Sequence, residues 1–277
     1  MTRTPAGRDR ADRDPYGGFT NLHSVLRAYG EGNIFGESYG AGPAKVLWLH
    51  GWGRTSADFE AAAGVLASEG IASVSLDLPG FGASPLPERA GGSEYYAHLL
   101  DPVLDQLGVE PIVLVGHSNG GRVATALTLA RPEKVKALVL SGAPLVRATS
   151  PRPSPWPYRL VRSLHRRGVI SETRMEAARQ KYGSRDYRNA TGLLRDILVA
   201  SVNEDFTDRL GRIVAPVALV WGGRDADVTP EVARRIAAML VNSSHVELDV
   251  LEGVGHLVPS ERPAELAAHV RALVALS

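Results

Sequence analysis

Ile112-Val-Leu-Val-Gly-His-Ser-Asn-Gly-Gly121 is the stretch that decides the fold. Four apolar residues, too few for a helix and rich in β-branched types, read as a strand buried on both faces. The small residues that follow read as a sharp turn, and a helical pattern opens at about Gly120. Within the turn, Gly116-His117-Ser118-Asn119-Gly120 matches G-x-S-x-G. A serine on a strand-to-helix turn is forced into strained backbone angles with its Oγ exposed above the sheet, while glycines two residues to either side allow backbones to approach. The helix N-terminus behind it favours developing negative charge. Ser118 is therefore the candidate nucleophile. The bland alternative is a Ser-Asn-Gly-Gly turn that merely starts a helix.

Working outward, short apolar runs at Val46–Leu49, Ala72–Leu76, Ala137–Leu140, Val217–Val220 and Val246–Val250 alternate with helical periods. The helical segments are Ser56–Ser68, Glu94–Leu107, Gly120–Arg131, Pro230–Leu240 and Pro263–Leu276. This alternation predicts an α/β fold with a doubly wound, mostly parallel sheet flanked by helices. A short extended pair is expected around Ile34–Tyr39. From Pro144 to Arg212 no strand is visible, and helical patterning appears at Tyr158–Arg167, Ser171–Arg179 and Gly192–Val202. A stretch of that length is too long for a plain loop, so residues 144–212 are expected to be an inserted helical cap. The core is then residues 21–143 and 213–277. Residues 1–20, polar and rich in Arg, Asp and Gly, are expected to be poorly ordered.

A serine hydroxyl needs a base. Of eight histidines, His256 lies in a glycine-flanked loop between the last strand and the last helix, at the strand edge where open α/β sheets build their sites. His98, His165, His245 and His269 fall in helical or exposed contexts and read as surface residues. An acid must hold the imidazole tautomer, and the turn after Val217–Val220 carries two, Asp225 and Asp227. Asp225 is the candidate and Asp227 the competitor; either can instead cap the helix at Pro230. The resulting order is Ser, Asp, His. An oxyanion hole needs two backbone N–H groups. Asn119 supplies one, and His50-Gly51-Trp52-Gly53 the other, with Trp52 as donor and Gly51 giving access; otherwise Trp52 is simply core.

His50-Gly-Trp-Gly53, Asp77-Leu-Pro-Gly-Phe-Gly-Ala-Ser84, Gly116-His-Ser-Asn-Gly-Gly121, Trp221-Gly-Gly-Arg-Asp225 and Gly253-Val-Gly-His256 together resemble the α/β-hydrolase superfamily over residues 46–277. The resemblance implies Ser118 as nucleophile, Asp225 as acid, His256 as base, and Trp52 and Asn119 as oxyanion donors. Members with an aspartate nucleophile, the haloalkane dehalogenases and epoxide hydrolases, are disfavoured by Ser118. Members that hydrolyse carbon–carbon bonds of ring-fission products often carry Asn where this chain has His117. The region before the His-Gly motif reads as abbreviated.

The 277 residues carry a net charge of +1 and no cysteine. Disulfides, thiol catalysis and cysteine-held metals are thereby excluded, and the balanced charge gives no reason to expect nucleic-acid binding. No apolar run reaches the roughly 18 residues of a membrane span. Arg3, Arg8, Arg10 and Arg13 have no apolar segment behind them, which speaks against a signal peptide; cytoplasmic is the default expectation. The expected partner is a small-molecule substrate, with no cofactor, no metal, no nucleic acid and no membrane.

Residues 144–212 hold 14 Arg and Lys against 7 Asp and Glu, a net +7 that leaves about −6 for the remainder. Such asymmetry can focus anionic substrates; a solvated helical surface is the bland alternative. Trp156, Tyr158, Tyr182, Tyr187 and Phe206 are candidates to line a pocket. The leading functional expectation is hydrolysis of a carboxylic ester, lactone or thioester through an acyl-enzyme. The alternatives are carbon–carbon hydrolysis, acyl transfer or perhydrolysis by the same triad, and a non-catalytic ligand-binding protein on the same fold.

Overall fold

The computed structural model describes residues 24–108, 110–147 and 155–276. The expectation for residues 1–20 and most of the proline-rich 150–157 stretch lie outside them. In chain order the elements are β1 (Val25–Tyr29), β2 (Ile34–Tyr39), β3 (Val46–Leu49), α1 (Glu60–Ser68), β4 (Ser73–Asp77), α2 (Ser93–Leu107), β5 (Ile112–His117), α3 (Asn119–Ala130) and β6 (Val135–Ser141). Four helices follow: α4 (Trp156–Arg166), α5 (Glu172–Tyr182), α6 (Arg185–Asn189) and α7 (Gly192–Asn203). The chain then returns to the sheet with β7 (Val217–Gly222), α8 (Pro230–Met239), β8 (Val246–Leu251), α9 (Val258–Glu261) and α10 (Pro263–Ala275).

One eight-stranded sheet runs β1-β2-β4-β3-β5-β6-β7-β8. The six strands from β4 to β8 in that order pair in parallel, and β1 and β2 add an antiparallel edge. That hairpin corrects the expectation of an abbreviated N-terminal region. Its first strand carries no buried pattern, because Val25, Leu26 and Arg27 lie on an exposed edge.

The central parallel strands, β3 throughout and β5 as far as Val115, are apolar because both of their faces are covered. Leu47, Leu49, Ile112 and Leu114 point into one core with Tyr96 and Leu100 of α2, Val123 and Leu127 of α3, and Ile236 of α8. Val46, Trp48, Val113 and Val115 point into the other, with Leu66 of α1 and Leu266 and Val270 of α10. Each such side chain removed from water contributes about 1.5–3 kcal/mol.

The strands outrun their apolar patterns. Pairing continues through His117 with Ser141 and through Gly222 with Leu251, so β5, β6 and β7 carry polar and glycine residues out to the carboxyl edge of the sheet. The helical segment between β6 and β7 is tied down where it rejoins the core. Ser93 donates its backbone N–H (2.6 Å) and its hydroxyl (2.5 Å) to the Glu204 carboxylate, and the buried Arg122 guanidinium donates to the Glu204 carbonyl. No described helix is long and apolar enough to cross a membrane.

Candidate active site

Ser118 stands between β5 and α3 at φ 51, ψ −114. It and Glu31 are the non-glycine residues with positive φ among those described. A non-glycine residue held there costs on the order of 1–3 kcal/mol and persists only where its surroundings enforce it. Here the Ser118 N–H donates to the Ser141 carbonyl (2.8 Å), and the Ser118 carbonyl accepts from Gly121 (3.1 Å). The motif glycines are required by space. A methyl at Gly116 would stand 2.5 Å from the Gly121 Cα, and one at Gly120 would overlap the carbonyl oxygens of Leu49 and His50. The start of α3 therefore sits directly against the end of β3, which brings Ser118 beside Gly51: a Cβ on Gly51 would lie 3.4 Å from that of Ser118.

His256 follows β8, and Asp225 follows β7. His256 Nδ1 lies 2.7 Å from Asp225 Oδ2. The other carboxylate oxygen, Oδ1, accepts the N–H groups of Asp227 (2.9 Å) and Val228 (2.8 Å). The loop is closed from below by the Trp221 indole, which donates to the Val228 carbonyl (2.8 Å). Asp225 is buried, whereas Asp227 is exposed and makes no hydrogen bond to the imidazole. Burial disfavours the His256 imidazolium. The Asp225 hydrogen bond and the charges of Asp225, Asp227 and Asp186 outweigh it, and the pKa is raised above the ordinary histidine value.

Asp186, on α6, has no sequence signal marking it as a site residue: a single acid in an arginine-rich helical stretch. Its own pKa is raised, by burial and then by the charge of Asp227. The segment expected to present positive charge thus places a carboxylate near the imidazole. Several of its arginines are neutralised locally, with Arg179 paired to Glu172 and Arg195 to Glu176. The aromatic candidates are dispersed. Phe206 is buried in the main core, Tyr158 packs on Tyr182 at 6.1 Å, the Tyr187 hydroxyl donates to Glu176, and Trp156 is exposed.

Two further histidines border the site. His117, wholly buried, packs its ring 4.9 Å from that of His256. Burial, then the charges of His256 and Arg54, push its pKa down to about 3, so it stays neutral. His50 lies beneath Gly51, with Nδ1 2.7 Å from the Gly51 carbonyl oxygen. Neither belongs to the expected set of site residues. Of the histidines read as surface residues, His165 and His269 are partly buried, with ring nitrogens 3.0 Å from a Glu172 oxygen and 2.9 Å from an Asp249 oxygen.

The backbone N–H groups of Trp52 and Asn119 donate to no acceptor among the described residues. The Trp52 ring packs edge-on against Phe81 at 5.0 Å, so its side chain serves packing while its N–H stays available. Among the described residues, Asp225, Asp227 and His256 are the three whose potential ligand atoms lie within 4.8 Å of one another. Both Asp225 oxygens are already engaged. The arrangement offers a strained hydroxyl, an imidazole oriented by a buried carboxylate, and two uncommitted N–H donors, which can carry acyl transfer.

Comparison with known proteins agrees with this architecture. The model of the alpha/beta hydrolase family matches residues 46–269. A 2-hydroxy-6-oxononadienedioate/2-hydroxy-6-oxononatrienedioate hydrolase of Klebsiella pneumoniae is 31% identical over 239 residues, covering 78% of this chain and 82% of the relative. The chain therefore belongs to the α/β-hydrolase family. Among solved structures, 2-hydroxy-6-oxo-6-phenylhexa-2,4-dienoate hydrolase from a Rhodococcus superposes with TM-score 0.66 at 21% identity, covering 91% of this chain and 99% of that one. A thioesterase domain from the curacin biosynthetic pathway superposes with TM-score 0.65 at 24% identity, covering 91% and 100%. At those identities the likeness speaks for the fold alone.

Proposed function

We propose that this chain hydrolyses its substrate at a carbonyl carbon through an acyl-enzyme on Ser118. The observation that carries the reading is the pairing of a strained Ser118 at the mouth of α3 with a His256–Asp225 hydrogen bond of 2.7 Å. Asp225 accepts a hydrogen bond from the Nδ1–H and leaves Nε2 of His256 as the base. His256 takes the Ser118 proton as Oγ attacks. The N–H groups of Trp52 and Asn119 receive the developing oxyanion. His256 returns the proton to the leaving group, then activates water for deacylation. In the first form of this reading the substrate is a carboxylic ester, lactone or thioester. We take residues 144–212 as the cap over this site.

A second form is carbon–carbon hydrolysis: the Klebsiella relative is named as a hydrolase of 2-hydroxy-6-oxononadienedioate, a keto diacid with no ester, lactone or thioester bond to cleave. The same attack would then fall on a ketone, and the leaving carbon must depart as a stabilised carbanion and accept a proton. His117 stands where such members of the superfamily often carry Asn, which weighs toward the ester form. Fluorophosphonate labelling tests the shared step: absence of a Ser118 adduct would remove both forms. Turnover of p-nitrophenyl esters of varied length against turnover of 2-hydroxy-6-oxononadienedioate then separates them.

A further inference from the structure

We propose that the outward face of α4, built from Trp156 and Leu160 with Arg159, Arg162, Arg166 and the adjoining Arg167, docks on a lipid bilayer that carries acidic phospholipids. The inference is independent of the Ser118 reading. It departs from the expectation of no membrane partner, which rested on the lack of a spanning run; here the helix lies along the surface.

The charge is set by the sequence. Residues 144–171 contain six arginines and no Asp or Glu. The acids that follow, Glu172 and Glu176, are taken up by Arg179 and Arg195. Arg159, Arg162, Arg166 and Arg167 enter no ion pair among the described residues.

Helix geometry gathers these charges beside apolar surface. Positions three and four apart share a helix face. Trp156, Leu160, Ser163 and Arg167 follow one another at that spacing, with Arg159, Arg162 and Arg166 alongside. Trp156 is 73% exposed and Leu160 51%, and the four arginines are exposed. Tyr158, Val161, Leu164 and His165 take the opposite, half-buried side, where Tyr158 packs on Tyr182 of α5. One shallow depression on the outer side is lined by Trp156, Leu160, Ser163 and three of the arginines, with no acidic group.

This face is unfavourable in water alone. Arg159 and Arg162 lie three apart and Arg162 and Arg166 four apart, so like charges repel along the helix. No residue of α4 is buried, so packing offsets little of that. An acidic bilayer answers both deficits. Headgroup phosphates pair with guanidinium forks, an indole settles at headgroup level, and Leu160 reaches the acyl boundary. Apolar insertion and a basic patch are each weak anchors, and together they hold a protein reversibly on the surface. A small anion meets one or two exposed, screened arginines and gains little, whereas a bilayer meets all four at once. A nucleic acid would satisfy the arginines but leave Trp156 and Leu160 in water.

Flotation of the full chain with two kinds of vesicle tests the inference: phosphatidylcholine alone, and equal parts phosphatidylcholine and phosphatidylglycerol. Wild type should partition onto the acidic vesicles about 100-fold or more above the neutral ones, at about fivefold per arginine, and should be released between about 0.1 M and 1 M salt. Replacing Arg159, Arg162, Arg166 and Arg167 together with Gln should remove that preference. Replacing four exposed arginines elsewhere, Arg27, Arg234, Arg262 and Arg271, should change it by less than about threefold, since they lie off the face. Trp156→Ala should weaken partition about tenfold. Equal partition of wild type onto both vesicles overturns the inference, as do equal losses in the two fourfold variants, which would reduce it to net charge. Tighter binding to a DNA duplex than to acidic vesicles, unchanged in Trp156→Ala, would assign the face to nucleic acid. A lipid-free dimer that Trp156→Ala dissociates, seen by sedimentation, would assign it to a second copy. Either result overturns the docking on lipid. Circular dichroism controls for folding; if the α4 fourfold variant does not fold, Arg159→Gln, Arg166→Gln and Trp156→Ala decide singly, and no loss in any of them overturns the inference.

Discussion

Asp225 grips His256 with one carboxylate oxygen and its own loop with the other: Oδ2 lies 2.7 Å from Nδ1, while Oδ1 accepts the N–H groups of Asp227 and Val228. A carboxylate held at both ends cannot swing away from the imidazole. Asp227, two residues on, contributes charge without a hydrogen bond to the ring.

That asymmetry separates the two aspartates experimentally. Asp225→Asn should lower kcat by about 10⁴, because an amide cannot hold the productive tautomer. Asp227→Asn should leave kcat nearly intact. Steady-state kinetics on both variants, with circular dichroism as the folding control, checks the ranking. Equal losses would mean that charge rather than the hydrogen bond matters.

The pH profile follows from the same geometry. His256 must be neutral to act as base, and its folded-state pKa is raised by the surrounding carboxylates. Activity is therefore lost as pH falls through that raised value, and the acid limb of kcat/KM should lie above the ordinary histidine value of about 6.5. Asp227→Asn removes a negative charge that favours the imidazolium, so its limb should move to lower pH. A shift to higher pH would contradict this reading.

Ser118→Ala and His256→Ala should each reduce kcat by roughly 10⁴–10⁶, and the double variant should cost little more, since triad members act as a unit. Additive losses in the double variant would show that the two residues work independently.

Gly120→Ala probes the elbow through stability. Its new methyl would overlap the carbonyl oxygens of Leu49 and His50, which belong to the backbone and cannot rotate aside. Destabilisation of about 3 kcal/mol or more is expected, at the top of the range for overpacking. Denaturant unfolding measures it; a loss under about 1 kcal/mol would show that β3 and α3 separate easily.

The arginines of the α4–α7 segment should not steer anions. Arg179 and Arg195 are paired within the segment, and the carboxylate it brings near His256 is Asp186. Acidic and neutral esters should therefore respond alike between 0.1 M and 1 M salt, over which the Debye length falls from about 10 Å to about 3 Å. Asp186→Asn should raise kcat/KM for acidic relative to neutral esters up to about fivefold, the scale of an exposed charge pair. A selective loss of acidic-ester turnover at high salt would restore the steering idea, with Arg166 and Arg167 as the residues to replace.

Local chemistry was legible in the sequence wherever one short stretch carries it. The strand, elbow and helix around Ser118 follow from Ile112–Gly121 alone, because an apolar run, a small-residue turn and a helical period are properties of neighbours along the chain. The order of the apolar runs likewise determined a parallel α/β sheet and placed His256 and Asp225 after its last strands. The exposed edge strand β1 left no such trace, since an unburied strand needs no apolar pattern. Tertiary structure alone decided which aspartate meets His256, that Asp186 approaches it from α6, and that the Leu78 N–H, 28 residues from His50, meets that ring. Those relations depend on distances of a few ångströms between segments remote in sequence, and only the packing of the folded chain sets such distances.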